Sequence, residues 1–182
     1  MIEIRIHGRG GQGAVTTSQI LAIAAFYDGK ESQAFPNFGV ERTGAPVEAF
    51  CRIDTAKINL RSQVYQPDVV IVLDASLVQA IDVTKGLKQG GAIILNTNKR
   101  ASELGLGLSG NVHVVDATSI ATEIFGKPIV NTAVLGAFAA VTRVVSLDSL
   151  LRAIDDQFLQ SKGQKVADLN KQAIQKVFEM TK

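Results

Sequence analysis

The chain has 182 residues, with 19 lysines and arginines against 17 aspartates and glutamates, and one cysteine, Cys51. This length suits a single domain, residues 1–182, which can bury a sizeable core without disulfides or metals. One cysteine excludes an intramolecular disulfide, a multi-cysteine zinc site and an iron–sulfur cluster held by this chain alone. The charges are interspersed and sum to +2, so we expect no nucleic-acid partner.

The N-terminal segment "MIEIRIHGRG" has no apolar stretch of signal-peptide length, and it is interpreted as the first strand of the fold. No apolar run approaches the ~20 residues that span a bilayer. We therefore expect a cytoplasmic protein with no membrane partner.

Strand and helix patterns alternate along the chain, which predicts an α/β fold. We expect three layers, α/β/α, around a largely parallel or mixed sheet. The run "IEIRIH" predicts a first strand with its isoleucines on one face, and "AVTTSQILAIAAFYDG" predicts a helix that ends at Gly29. The runs "ESQAF" and "VEAFCRI" predict the second and third strands, with the third antiparallel.

In the second half, "DVVIVL", "GAIILN" and "NVHVVDA" predict strands covered on both faces. The segment "ASLVQAIDVTKGLKQG" predicts a crossover helix that ends at a glycine. After Asp116, four segments have helical patterns: "TSIATEIFG", "TAVLGAFAAVTRVV", "SLDSLLRAIDDQF" and "VADLNKQAIQKVFEM".

The stretch "HGRGGQG", residues 7–13, lies between the first strand and the first helix. Its glycines fit G-x-G-x-x-G, in which a helix N-terminus holds a phosphate. However, the second strand ends in Ala34 and Phe35 rather than in an acid that would bind a ribose, and no Lys-Ser/Thr pair follows the turn. Two interpretations remain open: a tight packing turn, or an anion or partner site in which Arg9 and Gln12 take part.

A second unusual stretch is "AFPNFGVERTGAPVEAF", which has no helical or strand period. Its aromatic, proline and glycine residues surround adjacent Glu41 and Arg42, a composition that suits recognition. The alternative is a loop folded over its own core. Because the two stretches flank one helix, we expect them to form one surface.

The remaining chemical candidates have structural interpretations. His7 and His113 lie in predicted strands without acidic or cysteine companions in sequence, and we expect both to pack there. Cys51 is interpreted as a small buried hydrophobic residue. Asp74 ends a strand where α/β ligands bind, and it is equally placed to cap the next helix.

Asn131 and Thr132 precede a predicted helix. They can cap that helix or face the shared surface, and we expect capping.

The pairing of "GRGGQG" with "FPNFGVERTGAPV" closely resembles the gamma subunit of 2-oxoacid:ferredoxin oxidoreductases, most like the pyruvate form. The similarity extends over the whole chain, including "QPDVVIVLD" at 66–74 and "NTAVLGAFAAV" at 131–141. One departure is Thr43, where a second arginine or another polar residue is expected after Arg42.

The resemblance implies a supporting subunit of an enzyme complex. Such complexes oxidatively decarboxylate a 2-oxoacid on thiamine diphosphate with Mg, pass electrons through iron–sulfur clusters to ferredoxin, and transfer the acyl group to coenzyme A. Alpha, beta and delta-type subunits would supply the cofactors. We expect this chain to bind none of them alone, to be inactive alone, and to have no catalytic residue or metal ligand.

The resemblance also implies two sets of site residues. Those expected to contact a coenzyme A phosphate or a partner subunit are Gly8, Arg9, Gly10, Gly11, Gln12, Gly13 and Arg42. Those expected at a subunit interface are Phe35, Pro36, Phe38, Gly39, Glu41, Gly44 and Pro46.

Two alternatives stay open. One is a gamma-type subunit of a 2-oxoglutarate, 2-oxoisovalerate or indolepyruvate oxidoreductase. The other is a stand-alone nucleotide- or flavin-binding α/β protein that uses the same glycine turn.

Overall fold

The structure, a computed structural model, describes residues 1–37, 43–104 and 111–182. Across these ranges the strands form a mixed sheet in the order β2-β3-β1-β4-β5-β6. Strands β1, β4, β5 and β6 are parallel, and β3 runs antiparallel to β1 and β2. The predicted fold class and the antiparallel third strand are confirmed. The strands are β1 (Ile2–Arg9), β2 (Glu31–Pro36), β3 (Pro46–Asp54), β4 (Val69–Val72), β5 (Ala92–Asn96) and β6 (Val112–Val115).

The helices begin and end at residues that the sequence marks. Gly29 has φ 72° just after the first helix, and Asp116 caps the third helix by accepting a hydrogen bond from the Ser119 backbone N–H at 2.9 Å. A π-helical turn, Asp155–Leu159, joins the fifth and sixth helices. The helices are α1 (Ala14–Tyr27), α2 (Leu77–Ala80), α3 (Ala117–Phe125), α4 (Val134–Thr142), α5 (Leu147–Ile154), α6 (Gln160–Lys162) and α7 (Gln164–Thr181).

The prediction of a long crossover helix between β4 and β5 is wrong beyond Ala80. Helix α2 has only four residues, and turns follow it. The Asp82 carboxylate accepts hydrogen bonds from the Thr84 backbone N–H at 3.0 Å and its hydroxyl at 2.7 Å. Such local side-chain bonds offer the backbone an alternative to the helix.

The two faces of the sheet are covered differently. On the front face, by which we mean the face covered by α1, α3, α4, α5 and α7, a large apolar core is packed between sheet and helices. On the back face, a small apolar cluster lies over β4 and β5, whereas β1 and β3 present the buried polar residues Arg5, His7 and Arg52. The expectation that His7 and Cys51 pack inside the fold is confirmed, since both are fully buried.

No helix among the described residues combines the length and the apolar character needed to cross a membrane.

Candidate functional site

The structure brings the two unusual sequence stretches together. The Gly10 backbone N–H donates to the Ala45 carbonyl at 2.8 Å, and the Gly44 N–H donates to the Gly10 carbonyl at 3.1 Å. This short ladder joins residues 8–13, the glycine turn, to residues 43–46, the described end of the second stretch. We call these two segments together the motif surface.

Side chains also tether the glycine turn to the carboxyl end of β4. The Gln12 amide oxygen accepts from the Arg9 backbone N–H at 2.7 Å, while its amide nitrogen donates to Asp74 Oδ2 at 2.9 Å. The Arg9 Nε donates to the same oxygen at 3.2 Å. The Arg9 guanidinium also donates to the Gly44 carbonyl at 3.0 Å and to the Ser76 hydroxyl at 2.7 Å. Arg9 therefore holds three segments of the chain in one arrangement.

Asp74 is the centre of this tether. Its second oxygen accepts from the Ser76 backbone N–H at 2.9 Å, so it orders the start of α2 as well as the glycine turn. Burial by itself raises the pKa of Asp74, but hydrogen bonds from Ser76 and Gln12 and the charge of Arg9 outweigh burial and keep this pKa below its ordinary value. The sequence left open a ligand site and a helix cap for Asp74; in the structure its carboxylate instead positions the glycine turn and holds Ser76 before α2.

These contacts bear on the expectation that Arg9 closes over a phosphate. Nε, Nη1 and Nη2 of Arg9 each have an acceptor within the chain. The geometry gives Arg9 a structural role first, and its contact with a ligand stays a prediction. Arg42, the other expected cation, lies outside the described residues.

The N-terminus of α1 opens into a cleft beside the motif surface. Gly13 precedes the helix with φ 83°, and no side chain from the described residues caps it. The first-turn N–H groups lack intrahelical acceptors, and the helix dipole makes this end favourable for an anion. The cleft has a volume of about 390 Å³ and is lined by Arg9, Gly10, Gly11, Gly13, Ala14, Val15, Thr43, Val47 and Glu48.

Asn131 lies directly against the glycine turn. A Cβ on Gly13 would approach Asn131 Nδ2 to 2.6 Å, so only glycine fits there. Asn131 Oδ1 is buried and has no hydrogen-bond partner among the described residues. The capping prediction is wrong, because Ala133 occupies the cap position of α4 without a side-chain bond and Thr132 donates instead to Asn170.

The predicted interface residues fall into two groups. Phe35 and Pro36 lie on β2, where the half-buried Phe35 ring packs on Phe50 with 5.3 Å between centroids. Gly44 and Pro46 are exposed on the motif surface. The others, Phe38, Gly39 and Glu41, lie outside the described residues.

His7 has an acidic neighbour, contrary to the sequence prediction. The pairing of β1 with β3 sets His7 opposite Glu48, and Nδ1 lies 3.5 Å from a Glu48 carboxylate oxygen. Arg5 Nε donates to His7 Nε2 at 3.1 Å. Burial first, and the Arg5 charge second, lower the pKa of His7 to about 4. The ring is therefore neutral near pH 7, with its proton on Nδ1, because a guanidinium cannot accept a hydrogen bond.

A second cleft lies at the carboxyl ends of β4, β5 and β6, where open α/β sheets bind ligands. Of its lining residues, the sequence indicated only Gln12 and Asp74 as candidates. Its volume is about 420 Å³. The sequence feature that could have located this cleft is the set of polar residues directly after the buried strands. The Asn96, Asp74 and Asp116 side chains there already bond to groups of the chain itself. The lining residues are Gln12, Leu73, Asp74, Ala75, Asn96, Thr97, Asn98, Asp116, Thr118, Ser119, Pro128 and Val130.

The fold and the site define a class: an α/β protein with a glycine turn before its first helix and a second loop fastened to that turn. The model of the pyruvate ferredoxin/flavodoxin oxidoreductase family matches residues 3–180. The chain belongs to this family.

Two curated relatives and one solved structure are similar over nearly their whole length. Pyruvate synthase subunit PorC of Methanocaldococcus jannaschii is 58% identical over 167 residues, 92% of each chain. The pyruvate/ketoisovalerate oxidoreductases common subunit gamma of Thermococcus kodakarensis is 54% identical over 185 residues, 99% of this chain and 100% of the relative. The crystal structure of pyruvate oxidoreductase subunit PORC from Thermotoga maritima has a TM-score of 0.85 and 41% identity, covering 98% of this chain and 95% of that one.

Proposed function

We propose that this chain is the gamma-type subunit of a multisubunit pyruvate:ferredoxin oxidoreductase, in which it provides an assembly surface and a contact for coenzyme A. The observation that carries the proposal is the motif surface. Its two segments are hydrogen-bonded to each other and fastened to Asp74, in a chain that aligns with gamma and PorC subunits along nearly its whole length.

The redox and carbon chemistry is assigned to partner subunits of alpha, beta and delta type. Thiamine diphosphate, Mg and iron–sulfur clusters would be held there, and ferredoxin would be reached through the complex. In support, the described residues contain no group of three or more His, Cys, Asp or Glu side chains placed to hold a metal ion. The single buried thiol, Cys51, suits a reducing cytoplasmic compartment.

We also assign the choice of 2-oxoacid substrate to another subunit. The Thermococcus relative is named as a subunit common to pyruvate and ketoisovalerate oxidoreductases. If a gamma subunit serves both substrates there, the group that distinguishes them lies in another subunit. The same reasoning leaves 2-oxoglutarate or indolepyruvate as alternative substrates of a complex that uses this chain.

The coenzyme A contact is placed at the start of α1. The uncapped first-turn N–H groups open into the 390 Å³ cleft, with the exposed Thr43 on its rim. Coenzyme A carries phosphates, and a helix N-terminus binds phosphate without a dedicated cation. This suits a turn whose nearest arginine, Arg9, is occupied by the chain's own acceptors.

A charge placed on the cleft rim tests this contact. In the assembled enzyme, Thr43→Glu sets a carboxylate beside the proposed phosphate, whereas Thr43→Gln adds an amide of equal size. The Michaelis constant for coenzyme A should rise roughly tenfold in the Glu variant, corresponding to about 1.4 kcal/mol of repulsion. It should stay near the wild-type value in the Gln variant, and the constant for pyruvate should not change in either.

Equal constants for coenzyme A in wild type and both variants, with assembly intact, would overturn the coenzyme A contact. The subunit role has its own test, in which an affinity-tagged wild-type chain is co-expressed with a thiamine-diphosphate subunit and a cluster-bearing subunit. If neither subunit co-purifies, the subunit role is wrong.

A further inference from the structure

Asn131 has a buried side-chain amide whose oxygen contributes no hydrogen bond to the fold. The residue is 8% exposed, and Oδ1 is fully enclosed without a hydrogen-bond partner among the described residues. A buried acceptor without a donor costs free energy, and an apolar side chain of the same shape avoids that cost. The stability of the fold therefore gives no reason for an amide at this position, and such an unsatisfied group points to a role outside folding.

The neighbouring backbone and side chains hold this amide in place. The Asn131 carbonyl accepts a hydrogen bond from the Thr17 hydroxyl of α1 at 2.9 Å. The next residue, Thr132, is fully buried, and its hydroxyl donates to Asn170 Oδ1 of α7 at 2.6 Å. The chain at residue 131 is thus tied to α1 on one side and to α7 on the other, so its side chain is positioned before any ligand binds.

The amide lies directly against the start of α1. A Cβ on Gly13 would meet Nδ2, Cγ and Cβ of Asn131 at 2.6, 3.0 and 3.1 Å, so the amide fills the space that a side chain at position 13 would need. Gly13 precedes the first turn of α1 and lines the cleft of about 390 Å³. Nδ2 is the nearest of the three atoms, and it carries two N–H donors. It lies beside the uncapped end of the helix, where first-turn N–H groups bind phosphate.

We propose that Asn131 donates a hydrogen bond from Nδ2 to the coenzyme A phosphate at the start of α1. This rests on the proposed coenzyme A contact. A neutral donor suits this place, because it adds a hydrogen bond to the phosphate without leaving a buried charge in the free chain. The proposal accounts for two residues together: glycine at position 13 leaves room for the amide, and the amide supplies a side-chain donor that glycine lacks.

The test is steady-state kinetics of the assembled enzyme, with the Michaelis constants for coenzyme A and pyruvate measured separately. Asn131→Leu replaces the amide with methyl groups of similar shape. Asn131→Asp keeps the shape and replaces the donor with a charged oxygen. Asn98→Leu is the matched control, because Asn98 is exposed and lines the second cleft. The unfolding temperature of each full-length variant chain reports any structural role.

We expect Asn131→Leu to raise the constant for coenzyme A roughly tenfold, because a hydrogen bond to a charged group is lost. The constant for pyruvate should stay at the wild-type value. Asn131→Asp should raise the constant for coenzyme A further, because like charges repel, and Asn98→Leu should change neither constant. The unfolding temperature of Asn131→Leu should equal or exceed that of wild type, since this variant removes an unpartnered acceptor.

An unchanged constant for coenzyme A in both Asn131 variants overturns the inference. If Thr43→Glu raises that constant in the same experiment, the coenzyme A contact stands without Asn131; if it does not, the contact itself is wrong as well. Equal rises in the constants for coenzyme A and pyruvate, with a lower unfolding temperature, assign Asn131 a packing role and also overturn the inference. Where Asn131→Leu does not fold or assemble, Asn131→Asp alone decides between these outcomes.

Discussion

Strands β1 and β3 are covered on both faces, and different interactions stabilise the front face and the back face. On the front, Ile4, Ile6 and Cys51 pack against helices, and area buried from water supplies the stability. On the back, Arg5 donates to the Val83 and Lys85 carbonyls, and Arg52 donates to Glu3. The front face holds helices in place, and the back face holds irregular segments in place through specific hydrogen bonds.

Polar contacts of the kind that stabilise the back face also order the turns of the candidate site. Turns have few apolar residues to bury, so polar side chains fix them. Arg52 also reaches the Gln63 carbonyl at 3.1 Å, and Arg9 and Gln12 fix the glycine turn to Asp74 in the same way. The tether places the motif surface at the carboxyl ends of β1 and β4.

The largest expected effect is on the front face. Phe138 in α4 is fully buried, so Phe138→Ala should lower the free energy of unfolding by roughly 3–5 kcal/mol through lost burial and a cavity. Denaturant unfolding of the isolated chain measures this value. Tyr65→Ala, at an exposed position, should change it by less than about 0.5 kcal/mol. Equal effects at both sites would contradict the assignment of the core to this face.

The second effect is a dependence of folding stability on pH, which comes from His7 on the polar back face. The pKa of His7 is lowered to about 4 from 6.5, so the unfolded chain binds this proton more readily than the folded chain does. Stability should therefore fall as pH drops from 6.5 towards 4, by about 3 kcal/mol from this residue alone, and should not depend on it above 6.5. Stability of wild type and His7→Gln, measured across this range, isolates the contribution.

His7→Gln should remove most of that slope, because a glutamine can still accept from Arg5 and does not titrate. Asp74 and Asp82 have lowered pKa values, so their contributions are lost below their ordinary range, at lower pH than the His7 window. An unchanged slope in His7→Gln would show that another group causes it.

A smaller effect is expected at the tether. Asp74→Ala removes the acceptor that Arg9 and Gln12 share, at a partly exposed site, and should cost about 1–2 kcal/mol. Amide hydrogen exchange in residues 9–13 should accelerate more than in β4. Ser76→Ala, which removes one of the contacts of Arg9, should have a lesser effect. Uniform acceleration over the whole sheet would indicate a global loss of stability instead.

The smallest effect concerns Cys51 on the front face. Burial raises the pKa of this thiol to about 12, so it should not react with a thiol reagent in the native chain near pH 8. Full reaction should require denaturant. Rapid labelling of the native chain would mean that β3 is not covered as described.

The sequence predicted the front face well, because isoleucine alternation in β1 and glycine stops such as Gly29 are local signals. It predicted the back face poorly. Arg52 looks like a solvent-facing residue of an alternating strand, and its burial depends on contacts with Glu3 and Gln63, which lie on other segments of the chain. The His7–Glu48 pairing depends on strand register, and the tether to Asp74 joins residues 62 apart in sequence. The short α2 was missed because the Asp82–Thr84 bonds compete with a helical pattern.

The central claim is that the motif surface, with the start of α1, is where this chain meets its complex and coenzyme A. The most direct measurement is hydrogen–deuterium exchange of this chain when isolated, when assembled, and when assembled with coenzyme A. We expect residues 10–15 and 43–46 to gain protection on assembly, and the first turn of α1 to gain more when coenzyme A is added. Unchanged exchange in both segments, with new protection confined to other parts of the chain, would contradict it.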